Sequence, residues 1–121
     1  MKKLLLDLKE YGADIEGAMN RFLNDEELYV SCFYSFLEDV CFKKLGEAIV
    51  QKDYKNAFDY AHTLKGVAGN MGLSPIYKAI CDIVEPLRRN DYSNLQYLYA
   101  EIIENYNKLQ AYRVEEKRYE C

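Results

Sequence analysis

Residues 61–72 read Ala61-His62-Thr63-Leu64-Lys65-Gly66-Val67-Ala68-Gly69-Asn70-Met71-Gly72. Wound as a helix, this stretch carries two stripes, because neighbours three, four and seven residues apart share a face. Leu64, Ala68 and Met71 make an apolar stripe. His62, Lys65, Gly66 and Gly69 make the other: an imidazole and an ammonium beside two positions with no side chain beyond hydrogen. His62 is the only histidine of the 121 residues. A glycine inside a helix costs about 0.5–1 kcal/mol relative to alanine. The sequence shows no packing benefit from Gly66 and Gly69, so close approach of a large partner to His62 is the natural reason for both.

The pattern around this stretch is helical throughout. No segment sustains alternation of apolar with polar residues, and no Asn-Gly or Asp-Gly hairpin turn occurs. A first short helix is expected over Lys2 to Glu10, stopped by Tyr11-Gly12. Asp14 caps a second, Ile15 to Leu23. Asn24-Asp25 starts a long helical stretch from Glu26 to Gln51, with a break near Asp39; Leu28, Cys32, Phe36, Leu45, Ile49 and Val50 lie inward, and Phe33, Leu37, Val40 and Cys41 widen that side. Gly46 marks a bend or a close helix contact. After Lys52-Asp53, the helix Tyr54 to Met71 carries the histidine stripe. Gly72 ends it, and Ser74-Pro75 caps and opens the next, Pro75 to Arg89, in which Pro86 is expected to kink or loosen the last turn. The last helix spans Tyr92 to Lys117. Connections of a few residues force successive helices to lie antiparallel, so the fold class is all-α, an antiparallel up-down four-helix bundle with one or two short leading helices.

One domain is expected over residues 1–121: a core of about 11–114, a leading helix over 1–10 and a tail over 115–121 that frays. With half the residues apolar and 30% charged, a packed core under a solvated surface is possible. The net charge of −4 argues against a nucleic-acid partner, which needs clustered Lys and Arg. Leu4-Leu5-Leu6 is too short and too closely flanked by charge for a signal peptide or a membrane span. Cys32, Cys41, Cys81 and Cys121 form no CxxC pair, and with one histidine besides they do not suggest a structural zinc site. They read as thiols of a cytoplasmic protein, three of them packed as small apolar residues. The twelve tyrosines suit boundaries between helix core and solvent, ring in and hydroxyl out.

A neutral imidazole is a competent nucleophile near pH 7. Phosphorylated, His62 would hold an anion off the helix. Lys65, about 60° around and one turn on, can reach that charge, and Gly66, about 40° around, leaves room for the incoming donor. His62-x-Leu64-Lys65-Gly66-x-Ala68-x-x-x-Gly72 resembles the signature of the histidine-containing phosphotransfer (HPt) domain. Phe36-Leu37, Asp53-Tyr54-x-x-Ala57, Cys81 to Glu85, and the leading segment Tyr11 to Ala18 extend the likeness over about residues 11–110. The resemblance implies a four-helix bundle whose exposed His62 exchanges a phosphoryl group with the aspartate of a response-regulator receiver domain. Lys65 would stabilise the phosphohistidine and Gly66 would give access. It further implies a docking surface, for which Ile15, Met19, Phe22, Phe58 and Gly69 are the candidates; Ile15, Met19 and Phe22 fit equally well as residues that cap the core. On the next helix, where many members place a polar residue against the imidazole, this chain has Val84-Glu85; Glu85 and Arg88 are the candidate outer neighbours.

The sequence shows no Walker loop, no Gly-rich nucleotide loop opening from a strand and no acidic metal pocket beside the histidine. The expected protein is therefore a phosphotransfer carrier, neither an enzyme nor an autokinase. It would bind no cofactor itself, with Mg²⁺ belonging to the receiver. Its partners would be receiver domains or a hybrid sensor histidine kinase, with no membrane, and it would act as a monomer. Two alternatives keep the bundle and change its use. One is a helical adaptor without phosphotransfer, for which His62, Lys65 and Gly66 together would be unnecessary. The other is the phosphoacceptor domain of a longer chemotaxis-type kinase.

Overall fold

The computed structural model describes the backbone of residues 1–120 and the side chains of residues 1–113. The described residues form seven α-helices and no strand: α1 Lys3–Tyr11, α2 Ile15–Arg21, α3 Glu26–Leu37, α4 Cys41–Val50, α5 Tyr54–Asn70, α6 Ser74–Arg88 and α7 Leu95–Glu120. Helix α4 packs on α5, α5 on α6 and α6 on α7, and α7 closes the ring onto α4. Helix α3 also packs on α7; α1 lies between α7 and α2 at the edge. This is the helical bundle that the spacing of apolar residues predicts, with one helix more. The expected stretch from Glu26 to Gln51 is divided at Glu38–Val40, and the Asp39 carboxylate accepts from the Cys41 amide at 2.8 Å to open α4.

The local stops and starts follow from side-chain chemistry. Asp14, Asp25 and Asp53 accept the amides of Gly17, Leu28 and Asn56, satisfying donors that a first helical turn leaves unpaired. Gly12 and Gly72 take left-handed backbone, φ 115° and 69°. Ser74 does not cap α6 as expected; its hydroxyl donates to the Gly72 carbonyl, and Leu73 stands at the cap position without a side-chain bond. Helix α6 runs through Pro86 to Arg88. Helix α7 starts at Leu95, after Asp91 has bound the Ser93 amide and hydroxyl, and extends past Lys117. The fraying expected of Glu115 to Cys121 falls outside the residues whose side chains are described, as does Cys121.

Three inward assignments are corrected, the first being Val40, which is 61% exposed in the break between α3 and α4. Leu28 is 49% exposed, and Tyr29, Val30, Phe33, Phe36 and Leu37 form the buried side of α3. Val50 is 72% exposed because its helix ends there, while Leu45 and Ile49 are buried. Gly46 is a close helix contact: a Cβ there would lie 2.6 Å from the Tyr99 hydroxyl oxygen.

The tyrosines do more than sit at the boundary. Tyr29 donates to the Met71 carbonyl at 2.8 Å, Tyr99 to Phe42 at 2.7 Å and Tyr106 to Leu37 at 2.7 Å. Leu37 ends α3 and Met71 caps α5, so two of these hydroxyls reach carbonyls that helix ends leave without partners. Each bond ties one helix end to a neighbouring helix. This frame holds α5 with Ala57, Ala61, Leu64 and Ala68 buried and the opposite face outward.

Candidate functional site

The outward face of α5 carries the histidine stripe. His62 is exposed, Lys65 is half-buried, and both line one shallow depression of about 370 Å³ with Gly66, Gly69, Asn70 and Tyr77. Small residues on the inner face let α5 lie close to its neighbours, while the 3.6-residue repeat keeps His62, Lys65 and Gly66 pointing away from the core. No hydrogen bond or ion pair engages His62 or Lys65 among the described residues. Their polar atoms are left to solvent or to a partner.

The two glycines of the stripe differ. A Cβ at Gly66 would meet nothing within 4 Å. A Cβ at Gly69 would stand 3.1 Å from the Tyr77 ring. The expectation that both lack side chains for the sake of a partner is corrected for Gly69, whose bare position seats Tyr77 of α6.

Of the two uses open to the apolar residues around α2, burial favours capping the core. Ile15, Met19 and Phe22 are 2%, 7% and 8% exposed and belong to the core. Helix α2 is short and buries its single apolar face against the bundle, which leaves that face unavailable as an open surface. What α2 presents near the depression is Arg21. Its guanidinium donates to the carbonyl of Asn70 at 2.8 Å, at the end of α5, and to that of Gly69 at 3.3 Å, which also accepts the Gly72 amide. The sequence carried one signal of this, a basic residue in the last turn of α2, but nothing that linked it to α5.

Phe58 is half-buried, one turn before His62, and its ring stacks on the imidazole with centroids 5.6 Å apart and planes 26° from parallel. Arg88 of α6 rests its guanidinium carbon 5.3 Å from the centre of the same Phe58 ring, and its Nε lies 3.6 Å from Glu85. Arg88 thus reaches the histidine through Phe58, and Glu85 through Arg88; neither makes a hydrogen bond or ion pair with His62 among the described residues. Val84, the neighbour of Glu85 on α6, is fully buried. The Tyr77 phenol stays protonated to a higher pH than usual, through its hydrogen bond with the Cys81 thiol and the charge that thiol would carry. Cys32, Cys41 and Cys81 are free thiols. No group of three or more His, Cys, Asp or Glu among the described residues is placed to hold a metal ion.

A bundle with an exposed histidine, and a lysine and an open glycine one turn on to either side of it, defines a surface for group transfer to the imidazole. The family model of the Hpt domain matches residues 30–112, more than half of the chain. The chain belongs to the Hpt-domain family, and with it goes a role in histidine phosphotransfer. Members of this family are phosphotransfer carriers, generally not enzymes, and interact in general with response-regulator receiver domains. No curated protein and no solved structure matches the chain. No helix among the described residues is long and apolar enough to cross a membrane.

Proposed function

We propose that His62 is the phosphoacceptor of a phosphorelay and exchanges its phosphoryl group with the aspartate of a receiver domain. The observation that carries this reading is the conjunction at one turn of α5: an exposed imidazole, a lysine beside it, and a Gly66 above which no atom stands within 4 Å. The neutral ring nitrogen attacks phosphorus in line with the bond to the aspartate oxygen. The N–P bond forms as that P–O bond breaks, and the carboxylate leaves with the electron pair. Such a transition state calls for placement and for cations near the equatorial oxygens more than for acid–base chemistry. The Lys65 ammonium supplies one cation from this chain. The receiver brings the phosphorylated aspartate and the Mg²⁺, so the reactive centre is complete only in the complex. The bare Cα of Gly66 lets the receiver surface come down beside the imidazole. One copy of this chain presents all its own groups, which fits a monomer.

The test is transfer from a labelled, phosphorylated receiver in Mg²⁺. Acid-labile, base-stable label is expected on the wild-type protein and none on His62→Gln. Label retained by His62→Gln, or no label on the wild type from a panel of receivers, would refute the assignment.

A further inference from the structure

An exposed histidine needs something to aim it. The imidazole of His62 turns about two side-chain bonds, and neither nitrogen has a hydrogen-bond partner among the described residues. In-line attack requires the ring to present its nitrogen along one direction, and misplacement by about 1 Å costs on the order of a hundredfold in rate. A side chain on a helix leans toward the N-terminal turn. For His62 that is the turn bearing Phe58, whose ring forms an offset stack with the imidazole, planes 26° from parallel.

Phe58 is held in turn. Its one side packs on the core. From α6 the Arg88 guanidinium rests on its ring, and Glu85, three residues before Arg88, pairs with its Nε at 3.6 Å. The order Glu85–Arg88–Phe58–His62 therefore links α6 to the imidazole through an ion pair, a cation–π contact and a ring stack.

We infer that Phe58 is a positioning residue for His62: its ring fixes the imidazole plane for phosphoryl transfer, and Arg88 with Glu85 fixes the ring. This rests on His62 being the phosphoacceptor. It gives Phe58 a part different from docking, and it gives the two charged residues of α6 a part exercised through Phe58. Stacking suits the task, because a flat ring restricts the orientation of the imidazole without occupying either nitrogen. One nitrogen can then attack while the other keeps its proton.

Two measurements separate this inference from the reading it rests on. The first needs no phosphotransfer. In proton NMR the ring protons of His62 are expected to move toward random-coil shifts in Phe58→Leu, with Phe58→Tyr close to wild type. Unchanged shifts in Phe58→Leu would overturn the stack whatever the relay does. The second is the kinetics of transfer from a phosphorylated receiver. Phe58→Leu is expected to lower the maximal rate about three- to tenfold, the size of an aromatic pair, with the half-saturating receiver concentration unchanged. Phe58→Tyr restores the rate. Arg88→Gln is expected to lower it less, and Arg88→Gln combined with Phe58→Leu no further than Phe58→Leu alone, since the two act in series. A change confined to the half-saturating concentration would make Phe58 a docking residue and overturn the inference. Additive losses in the double variant would overturn the part given to Arg88. A wild type that takes no label while its ring protons show the stack would overturn both the phosphoacceptor reading and the purpose assigned to Phe58.

Discussion

Gly66 and Gly69 lie within one turn of α5, on the same stripe, and line the same depression. From spacing alone they are equivalent. In the folded chain one faces open space and the other faces the ring of Tyr77 at 3.1 Å from where a Cβ would be. A missing side chain thus has two distinct uses. At Gly69 it makes room within the molecule, as it does at Gly46 under Tyr99 and at Gly72, where a Cβ would stand 2.6 Å from the Asp14 carbonyl oxygen. At Gly66 it makes room for something outside. Only the second use points to function.

This contrast can be broken by substitution. The largest effect on stability is expected at Gly72, where alanine meets both a left-handed φ of 69° and a backbone oxygen that cannot move away. Gly72→Ala should cost about 3 kcal/mol in urea unfolding, the sum of αL strain and overpacking. A cost under about 1 kcal/mol would mean that the α5–α6 turn relaxes freely.

Next comes Gly66→Gln. It should lower the rate of phosphoryl transfer from a receiver about a hundredfold, by holding the partner away from His62, with the helical signal and thermal midpoint intact. Transfer at the wild-type rate would show that the space over Gly66 is not used.

The smallest effect sharpens the comparison most. Gly66→Ala should stabilise the protein by about 0.5–1 kcal/mol, the full helix-propensity gain, since the added methyl meets nothing. Gly69→Ala should come out near zero, because the same gain is offset by displacing the Tyr77 ring. That ring is 36% exposed and can give way. Equal stabilisation at both positions would mean that Tyr77 does not need the bare position at Gly69.

Much of the molecule could be read before folding, and the reason is locality. Helix ends depend on residues within one turn, so Asp14, Asp25, Asp53, Gly12 and Gly72 were visible as caps and stops. The exception, Ser74, turned its hydroxyl back to a carbonyl two residues earlier, a choice made by the tight α5–α6 turn. The break at Asp39 was visible as a weak point in the apolar pattern. The Asp39 carboxylate that opens α4 acts locally, on the Cys41 amide; the Tyr106 hydroxyl that takes up the Leu37 carbonyl at the end of α3 comes from α7, 69 positions away. In the site, the stripe of His62, Lys65 and Gly66 followed from spacing. The contact of Arg21 with the end of α5 joins residues 48 and 49 positions apart, beyond any spacing rule.

Helical period, caps and the family signature belong to the sequence alone, because each is set by residues within a few positions of one another. They determined an all-helical chain with a single histidine on a stripe that lacks large apolar side chains. The tertiary structure decided which of that stripe's glycines is open, that Ile15, Met19 and Phe22 are core, and that Phe58 lies between His62 and Arg88. Those outcomes turn on which helix faces which across the bundle, and that is set by packing the whole apolar surface at once.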